Sequence, residues 1–157
     1  MTAGLLEVLV VSACGLPKLD FLTDKIDPYV LVNYKGQERK TRIARGQGGN
    51  PEWNQKFTFR AEYPGSGSDY NINLKIMDHD TFSSDDFIGE TMIHVEDLLA
   101  LGVDNGSYEM NSTKFRVIGS DQKYRGEIKV GVKFTKTSND DDDEEEIGGW
   151  KDSYGDE

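Results

Sequence analysis

Residues 71–95 read NINLKIMDHDTFSSDDFIGETMIHV, and the fold prediction starts from the pattern of residue types in this stretch. Apolar side chains alternate with polar ones at Ile72, Leu74 and Ile76, which is the period-2 pattern of a strand with one buried face. A second strand-like run begins at Phe87, and the residues between the two runs are mostly Asp and Ser, which favour turns. The stretch therefore predicts two β-strands joined by an acidic loop.

Strand-like runs of the same kind recur along the chain, separated by Gly, Pro, Asn and Asp. With residues 72–76 and 87–95 they make eight, the others being 4–13, 29–34, 39–44, 57–59, 114–118 and 127–134. One helical turn is expected at residues 95–101, stopped by Gly102. Eight strands without a long helical pattern predict an all-β fold, an eight-stranded antiparallel β-sandwich whose connecting loops gather at its two ends.

The net charge of −11 is unevenly distributed over the 157 residues. Residues 135–157 contain ten acids and two bases and so carry −8, which leaves −3 for residues 1–134. Seven consecutive acids at 140–146 repel one another and cannot be buried. We therefore expect one folded domain at 1–134 and a disordered acidic tail at 135–157.

Several sequence features favour a cytoplasmic protein. Cys14 is the only cysteine, so neither an internal disulfide nor a thiolate metal cluster is expected, which suits a reducing compartment. The apolar run at 5–13 is interrupted by Glu7 and has no Lys or Arg before it, so it is predicted to be the first strand rather than a signal peptide. No stretch approaches the roughly 20 apolar residues of a membrane-spanning helix.

Aspartates cluster in two predicted loops that are far apart in sequence. They are Asp20, Asp24 and Asp27 between the first two strands, and Asp78, Asp80, Asp85 and Asp86 between the fifth and sixth. Capping of turns explains one or two of them per loop. Asp78 and Asp80 are spaced by two at the end of a strand, so both side chains point to one side and repel each other. A hard divalent cation relieves this repulsion, and calcium accepts 6–8 oxygen ligands in irregular geometry.

Three short motifs occur in a fixed order. They are DPY at 27–29, preceded by Asp20; NPEWN at 50–54, followed by FTF at 57–59; and DHD at 78–80, followed by DFIG at 86–89. Together they resemble the C2 domain, the calcium- and lipid-binding β-sandwich, over residues 4–134. The sequences DHDTFS and DDFIG, with a Gly-Gly-Trp near the end, are similar to small single-domain plant members of the elicitor-responsive and phloem type. The resemblance implies the strand topology called type II.

The resemblance also implies a set of calcium ligands. The implied ligands are Asp20, Asp27, Asp78, Asp80 and Asp86. The two first-loop aspartates are seven residues apart here, where the family's usual separation is six, so Asp24 is an alternative to Asp20. Asp85 is an alternative to Asp86, which is preferred because it directly precedes Phe87.

The function implied by the resemblance is calcium-dependent binding to anionic phospholipid membranes. We expect a monomer in the cytoplasm that moves to the plasma membrane with calcium, in calcium signalling or plant defence. The apolar loop residues Phe21, Leu22 and Phe82 are expected to insert into the membrane. Lys40 and Arg42 are expected to share one face of the third strand by its period of two and to face the lipid.

Two other classes of function are less consistent with the sequence than membrane binding. An enzyme is not expected, because the chain has only two histidines and no nucleophile elbow, phosphate loop or dinucleotide fingerprint. The alternative is a calcium-independent protein- or RNA-binding carrier of the phloem-protein type. A tail that carries −8 disfavours nucleic acid as a partner, because like charges repel the phosphate backbone.

Overall fold

The structure is a computed structural model that describes residues 1–17 and 26–137. The described residues form eight β-strands and one helix, which lies between β6 and β7. They are β1 (Thr2–Cys14), β2 (Pro28–Tyr34), β3 (Gln37–Lys40), β4 (Glu52–Tyr63), β5 (Asn71–Asp78), β6 (Asp86–His94), α1 (Glu96–Asn105), β7 (Ser107–Ile118) and β8 (Tyr124–Lys136). The prediction of an all-β fold with eight antiparallel strands is confirmed. The predicted tail beyond residue 137 lies outside the described residues, and the predicted site residues Asp20, Phe21, Leu22 and Asp24 do as well.

The strands lie in the order β3-β2-β5-β6-β7-β8-β1-β4. Only one residue pair, Glu90 with Ile118, joins β6 to β7, so the strands divide there into two halves of four. One continuous hydrophobic cluster draws its side chains from both halves, which identifies them as the two layers of a sandwich. The first strand lies at the centre of its layer, between β8 and β4, as the type II topology predicts.

Alternation along each strand creates the core. In β5 the side chains of Ile72, Leu74 and Ile76 are at most 1% exposed, whereas those between them face out. The bulkiest fully buried side chains are Trp53, Tyr34, Phe59 and Phe134. Trp53 comes from the NPEWN motif, so this motif contributes a core side chain to β4.

The third strand ends earlier than predicted. The prediction placed it at 39–44, but β3 ends at Lys40. The next residue, Thr41, is 3% exposed, and its hydroxyl accepts the N–H of Val30 at 2.9 Å in place of a regular ladder bond. The chain then follows β2 irregularly, with the N–H of Ala44 donating to the carbonyl of Pro28. The expectation that Lys40 and Arg42 share a strand face is therefore wrong, because Arg42 lies beyond the strand.

The helix was also predicted too short. It runs through Gly102 and is terminated by Gly106, whose φ is 91°. A Cβ at residue 102 would lie 2.5 Å from Cδ2 of Phe134, so glycine here permits close packing of α1 on β8. Gly102 is therefore a packing residue and not a stop signal. No helix among residues 1–17 and 26–137 is long and apolar enough to cross a bilayer.

The sheet register brings the acidic loops together at one end of the sandwich. Pro28 at the start of β2 is paired with Asp78 at the end of β5, and Asp78 is paired with Asp86 at the start of β6. The other end of the molecule holds the last described residues. There, Lys136 ends β8, two residues beyond its predicted end, and Thr137 donates its N–H to the carbonyl of Ala3 at 3.0 Å.

Candidate metal centre

Backbone hydrogen bonds tie the start of β2 to the end of β5. The N–H of Asp27 donates to Oδ1 of Asp78 at 2.9 Å, and the N–H of His79 donates to the carbonyl of Asp27 at 3.0 Å. Since Asp78 is paired with Asp86 across the β5–β6 ladder, three of the predicted ligands are brought to neighbouring positions.

Among the acids of residues 1–17 and 26–137, Asp78 has the most unfavourable environment for its charge. Partial burial raises the pKa of its carboxyl, and the negative charges of Asp86, Asp27 and Asp80 raise it further. The hydrogen bond from the Asp27 backbone lowers it, but by less than these effects raise it. These electrostatic contributions show that the predicted ligands Asp27, Asp80 and Asp86 each lie within interaction range of Asp78. A cation placed among them would relieve this cost.

Two of these carboxylates are engaged in hydrogen bonds with their own surroundings. Asp80 accepts the Phe82 N–H at 2.9 Å and the Ser83 hydroxyl at 2.7 Å, and these bonds lower the pKa of Asp80. Oδ1 of Asp27 accepts the N–H of Gly46 at 2.8 Å. In this arrangement the described part of the chain contains no group of three or more His, Cys, Asp or Glu gathered as metal ligands.

The donor set nonetheless fits calcium in its chemistry. All four of these acids offer carboxylate oxygens, the ligands that a hard cation prefers. Asp78 ends β5, and Asp27 directly precedes β2, the strand paired with β5. Asp80 would have to exchange its bonds to Phe82 and Ser83 for a metal. The fifth predicted ligand, Asp20, and its alternative Asp24 lie outside the described residues.

Asp85 has a different environment from Asp86. One of its oxygens accepts the hydroxyl of Tyr29, and the other accepts the N–H of Asp80 at 3.0 Å. Its pKa is lowered mainly by the bond from Tyr29. Asp86, by contrast, contributes to the raised pKa of Asp78, so its charge lies near that acid. Both oxygens of Asp85 are engaged within the protein, and the preference for Asp86 as the ligand stays a prediction.

The loop between β5 and β6 also presents an apolar side chain to solvent. Phe82 is 95% exposed, so it is not folded back onto the core. Its own N–H is bonded to the carboxylate of Asp80, which fixes the backbone from which the ring projects. The other two residues expected to insert, Phe21 and Leu22, are outside the part of the chain described here.

The two predicted lipid-facing bases occupy unlike positions. The ammonium of Lys40 lies 4.6 Å from the centroid of the Tyr29 ring, close to the acidic loops. The guanidinium of Arg42 donates to the carbonyl oxygen of Trp53 on β4, so it bridges the two layers. Sequence reasoning missed the roles of Tyr29 and Arg42, because nothing near them in sequence indicates their partners.

Comparison with known proteins identifies the family. The profile of the C2 domain matches residues 4–110. Over 154 residues the chain is 50% identical to the 16 kDa phloem protein 1 of Arabidopsis thaliana, a match that covers 98% of both chains. It is 47% identical over 154 residues to elicitor-responsive protein 1 of Oryza sativa subsp. japonica, covering 97% of both.

A solved structure supports the same assignment. A C2 domain-containing protein matches this chain at 34% identity with a TM-score of 0.68, covering 88% of this chain and 93% of that one. Fold, motifs and relatives therefore agree. The chain belongs to the C2 domain family, with plant phloem and elicitor-responsive proteins among its relatives.

Proposed function

We propose that this chain is a non-enzymatic module that binds anionic phospholipid membranes when calcium is present. The observation that carries the proposal is the acidic loop between β5 and β6. The exposed Phe82 follows the partly buried, charge-repelled carboxyl of Asp78 by four residues. An acidic site that holds calcium, followed by an apolar tip, is suited to a surface that is negative and has an apolar interior.

The mechanism assigns a separate role to each kind of residue. Asp27, Asp78, Asp80 and Asp86, with Asp20 from the first loop, would hold calcium through their carboxylate oxygens. Bound calcium would supply positive charge and coordination positions for lipid phosphate oxygens. Without calcium, the same carboxylates repel an anionic surface, so the acids themselves keep the module off the membrane.

Phe82 adds an apolar contribution that does not depend on charge. Its ring is 95% exposed, so nearly all of its surface can leave water at a bilayer interface. Full burial of such a side chain is worth about 1.5–3 kcal/mol. Lys40, whose ammonium lies over Tyr29 near the same loops, can contact lipid phosphate beside it.

The proposal includes a place in the cell. A module of this kind rests in the cytoplasm and moves to the plasma membrane when calcium rises, because the inner leaflet carries the anionic lipids. Relatives with elicitor-responsive and phloem names support a role in plant defence or in the phloem.

Sedimentation with liposomes tests the proposal. Wild type should pellet with phosphatidylserine-containing vesicles in calcium, but neither in chelator nor with neutral vesicles. The double variant Asp78→Asn with Asp80→Asn should lose this binding. The matched control is Asp97→Asn with Asp104→Asn, which removes the same charge from α1 at the other end of the sandwich and should bind normally.

Two outcomes would contradict the proposal. One is calcium-dependent pelleting by the Asp78/Asp80 variant at wild-type strength, which would place the calcium site elsewhere. The other is wild-type binding that is the same in calcium and chelator. In that case a mobility shift with single-stranded RNA, run in chelator, would test the calcium-independent carrier function instead.

A further inference from the structure

We propose that Asp85 is a positioning residue that anchors the β5–β6 loop to the neighbouring strand β2 through Tyr29. Its carboxylate accepts the Tyr29 hydroxyl with one oxygen and the Asp80 N–H with the other, at 3.0 Å. The second oxygen also lies 3.5 Å from Nδ1 of His79. A single side chain thus joins a strand of the sheet to the backbone of the loop.

The anchor at the other end of this contact is rigid. Tyr29 lies in β2, which is hydrogen-bonded on both sides, to β3 and to β5. The side chain is 5% exposed, and the ammonium of Lys40 covers its ring at 4.6 Å. Because the tyrosine cannot easily move, its hydroxyl fixes the position of Asp85 and not the reverse.

The contact reaches the residues that carry the proposed function. Asp85 holds the N–H of Asp80, and the carboxylate of Asp80 in turn holds the N–H of Phe82. Tyr29 is therefore connected to the predicted ligand Asp80 through two hydrogen bonds, and to the exposed ring of Phe82 through a third. The consequence of this anchoring for calcium binding rests on the proposed function, but the anchoring itself does not.

Positioning and ligation predict different orders of effect among three variants. Asp85→Asn and Asp85→Ala remove the same charge, but Asn keeps one acceptor oxygen, which can still bind one of the two donors. Tyr29→Phe leaves the Asp85 carboxylate intact and removes only the strand anchor. A positioning role predicts that Asp85→Ala and Tyr29→Phe both impair calcium binding and that Asp85→Asn impairs it less. Direct ligation predicts that both Asp85 variants impair calcium binding and that Tyr29→Phe does not, because the carboxylate is intact in that variant.

Amide hydrogen exchange in chelator tests the anchor without any calcium. In the peptide that covers residues 79–86, Tyr29→Phe and Asp85→Ala should exchange about five- to tenfold faster than wild type, the factor expected for losing one hydrogen bond of ordinary net strength. The exchange rate of Asp85→Asn should lie between those of wild type and Asp85→Ala. Tyr124→Phe removes a hydroxyl from a tyrosine that is 57% exposed and should leave this peptide unchanged.

The second arm measures the calcium concentration for half-maximal binding to phosphatidylserine vesicles. It should rise in the order Asp85→Asn, Tyr29→Phe, Asp85→Ala. Unchanged exchange of residues 79–86 in both Tyr29→Phe and Asp85→Ala would overturn the positioning role. Calcium defects in both Asp85 variants together with normal calcium binding by Tyr29→Phe would overturn it as well. If Asp85→Ala does not fold, Tyr29→Phe alone decides, because it deletes a single atom. Failure of wild type to bind vesicles would refute the proposed function and leave the exchange result valid.

Discussion

Tyr34 and Trp53 contain the side-chain polar atoms that are buried without a hydrogen-bond partner in the described part of the chain. Both residues are 0% exposed, and both pack between the two layers of the sandwich. An unpaired hydroxyl or indole N–H in the core carries a desolvation cost with no compensating bond. At these two positions a large side chain fills the core, but its polar atom is left without a hydrogen bond.

Replacing Tyr34 with Phe tests this cost directly. The variant should be as stable as wild type or more stable by about 1–2 kcal/mol, because it removes an unsatisfied buried hydroxyl and no bond. Urea denaturation at pH 7 measures the difference. A variant that is less stable by more than about 1 kcal/mol would show that the hydroxyl has a partner.

The same substitution should change the response to high pH. Burial, with the charges of Tyr70 and Asp69, raises the pKa of Tyr34 from 10.0 to about 12. The folded state thus holds this proton more tightly than the unfolded state. The stability that comes from this difference in proton affinity is complete below pH 10 and is lost as the pH rises towards 12. Wild type should consequently lose more stability than Tyr34→Phe between these pH values.

Asp78 and Asp80 should respond in opposite directions when each is neutralised in the calcium-free protein. Burial and neighbouring carboxylates raise the pKa of Asp78, so its charge destabilises the fold and Asp78→Asn should increase the free energy of unfolding at pH 7. Bonds from Ser83 and Phe82 lower the pKa of Asp80, so Asp80→Asn should decrease it. The difference for Asp78 should shrink as the pH falls to the ordinary carboxyl pKa, and that for Asp80 should shrink as the pH falls below it. Denaturation in chelator at pH 7 and at pH 3 measures them, and effects of the same sign for the two variants would contradict the electrostatic argument.

At the scale of the element, the two edge strands of the sandwich are joined by side chains. The amide of Gln37 on β3 pairs with both the N–H and the carbonyl of Arg60 on β4, at 3.0 and 2.9 Å. Arg39 and Arg42 donate to the carbonyls of Thr58 and Trp53 in the same way. These contacts satisfy groups along the free edge of β4, which would otherwise be open to pairing with another chain. They also mean that Arg39 and Arg42 have structural partners besides any lipid.

The helix α1 offers the clearest test of close packing between elements. Gly102→Ala should destabilise the protein by about 1–3 kcal/mol, although Ala is the better helix former, because the new methyl group would overlap the Phe134 ring. Asp104→Ala, at an exposed position of the same helix, is the matched control and should change stability little. Thermal denaturation measures both. If Gly102→Ala is the more stable protein, Gly102 has no packing role.

The limits of sequence reasoning follow from which contacts are local. Alternation at residues 72–76 predicts β5, and the DHD and DFIG motifs predict that Asp78 and Asp86 flank one loop. The bond between Tyr29 and Asp85 spans 56 residues and depends on register, which no local pattern specifies. Gly102 was misjudged because a glycine that stops a helix and one that admits a neighbouring ring look identical in sequence. Prediction thus succeeded for periodic patterns and failed for single contacts between distant residues.

At the scale of the whole molecule, the last described residue, Thr137, and the candidate metal centre lie at opposite ends of the sandwich. The described chain ends at Thr137, which is bonded to Ala3 at the end of the sandwich remote from Asp78 and Asp86. The residues beyond it contain ten acids and one base. A tethered segment acts at an effective concentration up to the millimolar range, and about twenty residues can span roughly 70 Å when extended. The segment is thus long enough to reach either the bases near the site or an approaching membrane.

Ending the chain at Thr137 should accordingly strengthen binding to anionic vesicles. Truncation changes the net charge from −11 to −2, because it removes ten acids and one base. Both the direct repulsion of an anionic surface and any competition for Lys40 disappear with it. The gain should be largest at low salt, since salt screens interactions between exposed charges. A full-length variant with residues 140–146 changed to Asn and Gln separates charge from length and should behave like the truncated protein. Calcium titration of vesicle binding compares all three. A truncated protein that needs more calcium, or that binds less at saturating calcium, would show instead that the acidic segment gathers calcium for the loops, because removing it would then lower the local supply of the ion.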